Sequence, residues 1–400
     1  MQDNRLMQVT EARARLLESL PTISGEERVA LTESPGRVLA RPSQAAAPVP
    51  PFDNSAMDGF ACNSGDLSED RTRLPVSARI TAGQAPARLQ PGSAARIMTG
   101  AVVPEGADMV VMQERCEAGE SGVLIRTGPE PGMNIRRAGE EFQPGQEVLR
   151  PGRRLQAQDI GLLATLGIAE VAVRPGMRVA ILATGDELVA PGQPLAPGQI
   201  YNSNAPMLDA LVRELGSTPV RFEQVADTAE ATETALREAV GESDLVLTTG
   251  GVSVGDTDWV RTTIERLGQL EIWKIAVKPG KPLAFGRIDK VPIIGLPGNP
   301  VASFVGFCLF VAPAIRRMQG MEKVFPAPIV LPSAFDAEQN SREVYWRVRR
   351  GIDGLQAHTM QGSAALGSVV WADGLARVPG DQPVCAGDPI EFFSFDSLLA

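Results

Sequence analysis

The chain has 400 residues, with 38 Lys+Arg against 48 Asp+Glu and a formal net charge of −10. Hydrophobic residues make up 44% and charged residues 22%, the balance of a globular protein with a buried core, and the length suits about two to four domains. A single histidine, His358, and four scattered cysteines exclude a multi-histidine metal centre, a zinc ribbon and a thioredoxin-type site, while an acidic balance without a basic stripe argues against nucleic-acid binding.

Residues 8–20 carry Ala12, Leu16, Leu17 and Leu20 at helical spacing, with Thr10 as candidate cap. No apolar signal segment precedes them, and the scattered thiols read as those of a reduced, cytoplasmic protein. Residues 41–60 are Pro-rich and run into Asp53-Asn54-Ser55-Ala56-Met57-Asp58-Gly59-Phe60, which suits an Asx-type turn. From about 72 to 150, short β-type runs alternate with Pro-Gly turns, which predicts a small β domain, and 156–166 returns to a helical pattern. Residues 177–320 then alternate strands (177–184, 220–225, 244–249, 292–296) with helices (206–215, from 227, 258–267, 301–315), which implies a parallel, doubly wound sheet. The uncharged 301–315 segment is shorter than the roughly 20 residues a membrane span needs and reads as a buried core helix. Residues 326–400 show short strands and no helical period, a terminal β domain.

Ligands of doubly wound sheets bind at the carboxyl ends of the strands, and three polar loops fall there. They are Thr184-Gly185-Asp186-Glu187, Thr248 to Asp258 with Gly250-Gly251 and Ser253, and Leu296-Pro297-Gly298-Asn299-Pro300. Paired glycines let backbone N–H groups approach a phosphate, although the same pair suits a tight strand–helix turn. Asp227 with Glu230 matches a capping box, and Asp256 or Asp258 suits a cap as well. If Glu187, Asp227 and Asp258 converge, they form an oxygen-only site suited to Mg²⁺. Lys278-Pro279-Gly280-Lys281-Pro282 presents two ammonium groups on a stiff backbone, an anion site to which Lys274 adds charge. Arg342 and Arg347, flanking Tyr345-Trp346, suit either anion contacts or plain surface, and His358 reads as exposed or structural.

Six strings occur in order along most of the chain: Asp53 to Gly59, Met98-Thr99-Gly100-Ala101, Thr184 to Leu188, Thr249 to Asp256, Lys278 to Pro282, and Gly295 to Val301. Together they resemble the molybdopterin molybdenumtransferase family, which includes MoeA-type proteins and the E domains of plant and animal proteins such as gephyrin. The resemblance implies that adenylated molybdopterin and molybdate bind, that the adenylate is hydrolysed with release of AMP, and that molybdenum enters the dithiolene with the help of Mg²⁺. It implies an elongated homodimer whose cleft lies between the α/β domain of one subunit and the small β domain of the other, and it allows for other molybdenum-cofactor proteins as partners. By the same resemblance, Asp58 and Thr99 are functional positions of the small domain, and Glu187, Asp227 and Asp258 handle the cation and nucleotide phosphate. Lys278 and Lys281 lie near molybdate, with Lys274 and Ser368 as weaker candidates. The family often has Gly-Glu-Asp where this chain has Gly139-Glu140-Glu141, and Ser where it has Ala302, so a hydroxyl contact there falls to Ser303 or a backbone N–H.

The expected fold is α/β and multidomain. It comprises a helical linker region (1–25 plus 143–175), a small inserted β domain (26–142), a doubly wound α/β domain (176–325) and a C-terminal β-barrel-like domain (326–400). Two other functions use similar parts: a molybdopterin adenylyltransferase, against which the extra β domains and the Asp58 and Thr99 motifs argue, and a non-catalytic scaffold for cofactor assembly.

Overall fold

A computed structural model describes residues 6–251, 259–280 and 282–399. The central six-stranded sheet runs in the order Thr218–Val225, Arg178–Thr184, Leu245–Thr249, Val291–Leu296, Pro282–Ile288, Gln269–Lys274. The first four strands are parallel, and Pro282–Ile288 is antiparallel to both of its neighbours. The sheet is therefore mixed, not wholly parallel as expected. Only two residues separate Ile288 from Val291, too few for a crossover helix, and Asp289 at a φ of 51° turns the chain directly into a hairpin.

Side-chain alternation along the strands builds two cores. Val179, Ile181, Leu245, Leu247 and Ile294 face the helices Asn204–Glu214 and Pro300–Met318. Ala180, Leu182, Val246 and Ile293 face Ala229–Glu242 and Trp259–Leu267 on the opposite side, so the sheet is doubly wound. Pro300–Met318 runs longer than the expected 301–315. It has Pro300 in its first turn, passes through a π-turn at Phe307–Val311, and is 89% buried inside the protein over its most apolar stretch.

The first helix, Val9–Ser19, begins at Gln8 without a side-chain cap, so Thr10 lies inside it. Val9, Ala12 and Leu16 are buried in the α/β core, and that packing draws the helix start ahead of Thr10. Glu27–Ala30 pairs with Glu170–Val173, and Ser43–Gln44 with Glu147–Leu149. With Ala157–Thr165 they surround Leu39, Leu155, Leu163 and Val171, so residues 27–44 pack with 147–173. The boundary expected at 26 placed them with the small β unit instead. Strands this short carry too little periodicity to reveal a partner more than a hundred residues away.

The small β unit holds a four-stranded sheet ordered Val76–Ile80, Ala94–Ile97, Gly59–Cys62, Met109–Met112, beside a three-stranded one. In the C-terminal region the ladder runs Val277–Lys278, Glu343–Gly351, Gly374–Val378, Pro389–Ser394, Ile329–Pro332, with Gly354–Ala357 paired on Glu343–Gly351. Among the described residues it does not close, although an isolated bridge joins Ser333 to Leu355. Two short helices, Gly367–Trp371 and Phe395–Leu399, interrupt a region expected to be purely β.

Candidate active site

The strand order reverses its winding between Arg178–Thr184 and Leu245–Thr249, and the three polar loops gather at that end of the sheet. Gly250 has a φ of 85°, and a Cβ there would stand 2.7 Å from the Thr184 carbonyl oxygen and 2.9 Å from its Oγ1. Only glycine lets the second loop close against the first strand end. Asn204 Nδ2 donates to Thr249 Oγ1 at 2.8 Å and to the Gly298 carbonyl at 2.7 Å, tying the second loop to the third. The first loop returns through Leu188–Val189, paired with Ile200–Tyr201, and the Ile200 N–H donates to the Glu187 carbonyl at 2.8 Å.

The acids of this region, Asp186, Glu187 and Asp227, are exposed. The Asp227 N–H donates to Asp186 Oδ1 at 3.2 Å, and the Glu187 carboxylate folds back beside Gly185. The Asp227–Glu230 capping box does not form. Thr228 caps Ala229–Glu242, its Oγ1 accepting from the Ala231 N–H at 3.3 Å, which leaves the Asp227 carboxylate outside the helix. Asp186, Glu187 and Asp227 are hard oxygen donors and fit Mg²⁺ by donor type. Among the described residues no three His, Cys, Asp or Glu side chains converge as ligands. Ser253, Asp258 and Lys281 lie outside the described residues.

Lys278 is exposed at the seam between two units, because Val277–Lys278 pairs with Glu343 and Val344 of the C-terminal ladder. Pro279 and Gly280 line a cavity of about 20 Å³ with Pro297 and Ala302, which seats the lysine loop against the third polar loop. Lys274 ends a separate strand, not the one that carries Lys278. Ser368 is buried, accepts from Arg347 Nε at 3.1 Å and donates to the Ala365 carbonyl at 2.7 Å. The Ser363 carbonyl accepts the Val301 N–H at 3.0 Å, satisfying one free donor in the first turn of Pro300–Met318. Ser303, two residues on, is buried, and its Oγ has no partner among the described residues. Burial pushes the thiols of Cys62 up to about 12 and Cys116 to about 11, and raises that of Cys308, so none of the three is a thiolate nucleophile near neutral pH.

In the small β unit, Gly59–Cys62 pairs with Ala94–Ile97 in the register Gly59↔Ile97. That register brings Asp58 and Thr99 together at the end of the ladder. Asp58 Oδ1 accepts from the Thr99 N–H at 2.7 Å and from Thr99 Oγ1 at 2.8 Å. Arg96 braces the turn, donating to the Gly59 carbonyl at 3.0 Å and to Gln113 Oε1 at 2.6 Å. The Thr99 backbone bond is the chief cause holding the Asp58 carboxyl below its ordinary value, followed by the Thr99 hydroxyl. A depressed carboxyl stabilises the fold above its unfolded pKa and loses that effect only as pH falls through the lower folded value. An NMR titration downward from neutral pH should leave the Thr99 amide shift unchanged through the ordinary carboxylate range and move it only below. An inflection at or above that range would contradict the bonding.

Three residues of these sites escaped the sequence reading. Arg96 resembled any charged residue on a strand. Arg347, left open between anion contact and surface, is fully buried. Asn204 carried one signal, a polar residue at a helix start beside a strand end.

Family models match three regions: the MoeA N-terminal region (domain I and II) at 7–167, a probable molybdopterin binding domain at 180–317, and the MoeA C-terminal region (domain IV) at 330–395. The molybdopterin molybdenumtransferase of Haemophilus influenzae is 37% identical over 404 residues, covering 98% of this chain and 100% of that protein. That of a Nostoc species is 39% identical over 368 residues, covering 89% and 84%. A crystal structure of the molybdopterin biosynthesis MoeA protein from Pyrococcus horikosii superposes with a TM-score of 0.81 at 30% identity, covering 98% of this chain and 99% of that one. The chain belongs to the MoeA family of molybdopterin molybdenumtransferases.

Proposed function

We propose that the protein is the enzyme that moves molybdenum from molybdate into adenylated molybdopterin, with hydrolysis of the adenylate and release of AMP, in molybdenum-cofactor synthesis. The observation that carries this reading is the end-to-end relation to a molybdopterin molybdenumtransferase, over 98% of the chain at 37% identity. An adenylyltransferase would need only the unit at 180–317. The flanking MoeA regions favour the transferase, and the match to named enzymes favours it over a scaffold.

The strand-end loops suit the chemistry. Thr184 to Asp186, Gly250-Gly251 and Pro297 to Asn299 supply backbone donors and hydroxyls for the nucleotide and pterin, together with Ser253. Mg²⁺ belongs to the proposal, with Glu187, Asp227 and Asp258 as its holders; when bound it would neutralise charge on phosphate oxygens. Lys278 and Lys281 take the molybdate dianion, with Lys274 adding charge, and Ser368 acts through Arg347. Asp58 stays ionised at working pH, so it serves as an acceptor and not as an acid.

Finer features of the reading are a homodimer with a shared cleft, contact with other cofactor-assembly proteins, and a cytoplasmic setting, which four free thiols support. A barrel-like C-terminal unit is supported by the Ser333–Leu355 bridge. The chain divides into linker, small β, α/β and C-terminal units, with 27–44 joined to the linker through its pairing. The test is reconstitution of the purified protein with adenylated molybdopterin, molybdate and Mg²⁺. AMP release coupled to active cofactor is expected; adenylation of free molybdopterin by ATP would instead make the protein an adenylyltransferase.

A further inference from the structure

We infer that Asn204 is a specificity-determining residue, whose side-chain carbonyl accepts a hydrogen bond from the N–H-bearing edge of an amino-heterocycle in the bound substrate. The inference rests on the proposed substrate, adenylated molybdopterin, which carries such an edge on its pterin and another on its adenine.

Asn204 opens the helix Asn204–Glu214 and is only 8% exposed. Its amide nitrogen is fully committed, with one hydrogen on Thr249 Oγ1 at 2.8 Å and the other on the Gly298 carbonyl at 2.7 Å. The Gly298 carbonyl can only accept, so the amide cannot flip without setting two oxygens against each other. The oxygen is thereby held on the opposite edge of the amide. That Oδ1 is buried and has no hydrogen-bond partner among the described residues. A buried amide oxygen left unpaired is costly, and its neighbour Asn202 shows the usual outcome, its Oδ1 accepting from the Ala205 N–H at 3.1 Å.

Position and polarity define the ligand. Asn204 bridges the loops at Thr249-Gly250 and Pro297-Gly298, and Asn202 is tied to the first loop through the Val189 carbonyl. A fixed neutral acceptor at that junction attracts N–H donors. Phosphate or molybdate oxygens meet it lone pair to lone pair, so the anionic groups go elsewhere, toward Lys278. A ring reader set apart from the anion sites discriminates strongly, because an analogue lacking the donor leaves the oxygen unpaired.

The experiment measures affinities of the full-length protein by titration calorimetry for adenylated molybdopterin, molybdopterin, molybdate, AMP, and purine riboside monophosphate, which lacks the adenine amino group. Asn204→Ala should weaken adenylated molybdopterin about tenfold and leave molybdate affinity unchanged. Asn204→Ser, which preserves a polar helix start, should behave alike, and melting curves would identify a variant that merely unfolds. Loss confined to molybdopterin assigns the pterin edge. Loss for AMP, with wild-type preference for AMP over the deamino analogue abolished, assigns adenine. Unchanged affinity for all of these in a folded variant overturns the inference, as does equal loss for molybdate. The binding arms need no turnover, so a wild-type protein that binds these ligands yet releases no AMP would count against the proposed reaction and not against Asn204.

Discussion

Mixing two inactive variants, Asp58→Asn and Glu187→Gln, is expected to restore about one quarter of wild-type AMP release when the chains are co-expressed. The expectation follows from where the two acids sit. Asp58 is fixed by Thr99 at the end of the small β ladder, whereas Glu187 lies at the strand ends of the α/β unit. Among the described residues, no hydrogen bond or ion pair joins 53–60 or 98–101 to the loops at 184–188, 249–251, 278–280 or 297–299. In the proposed homodimer each cleft takes its small unit from one chain and its α/β unit from the other. A heterodimer of the variants then has one cleft with both defects and one with neither. Random pairing makes about half of the dimers mixed, and half of their clefts are intact. Each variant alone should fall at least about a hundredfold, since it removes a charge from every cleft. Recovery is read as AMP release from dimers shown by native mass spectrometry to be mixed. No recovery in such dimers places both acids in a cleft built from one chain.

The legible parts of this protein share a cause: local pattern coincides with tertiary role. The runs ending at Thr184, Thr249 and Leu296 are apolar on both faces, as central strands must be, and the glycines after them mark the loops that gather at one end of the sheet. Lys278 and Gly298 were found because proline and glycine announce a stiff loop. What escaped depends on distant partners. Pro282–Ile288 looks like any parallel strand until its hairpin with Val291–Leu296 is seen. Asp227 and Thr228 differ by one residue, and which of them caps depends on where the strand before them releases the chain. Asn204 is defined by Thr249 and Gly298, 45 and 94 residues away in sequence. Arg347 reads as a polar residue in the Glu343–Gly351 strand, and nothing local discloses that a loop beyond the next strand covers it.

Arg347→Met is expected to destabilise the C-terminal unit by about 3 kcal/mol and to loosen the third polar loop of the active site. The side chain is fully buried, and its described partners are neutral oxygens: the carbonyls of Tyr345 at 3.1 Å, Met360 at 3.4 Å and Gly362 at 3.2 Å, and Ser368 Oγ at 3.1 Å. Burial lowers its pKa to about 10, still far enough above neutrality that it stays charged. Among the described residues the guanidinium fork is the common partner of these groups, and removing it takes that donor from the part-buried carbonyls of the 360–362 loop, each toward the low end of the about 1–3 kcal/mol that an unpaired buried acceptor costs. Relief of a buried charge offsets part of that loss, which keeps the total near 3 kcal/mol. The effect should travel, because Ser363 in the same loop accepts the Val301 N–H beside Pro297–Asn299. Hydrogen exchange should therefore speed up at Arg347, whose N–H donates to Gln361 Oε1 at 3.0 Å, and at Val301, while the central Leu245–Thr249 strand stays protected. Arg347→Lys retains the charge but offers one ammonium in place of a planar fork, so it should recover only part of the stability. If the urea midpoint and the Val301 exchange rate of Arg347→Met match wild type, the guanidinium is not what holds this loop against the site.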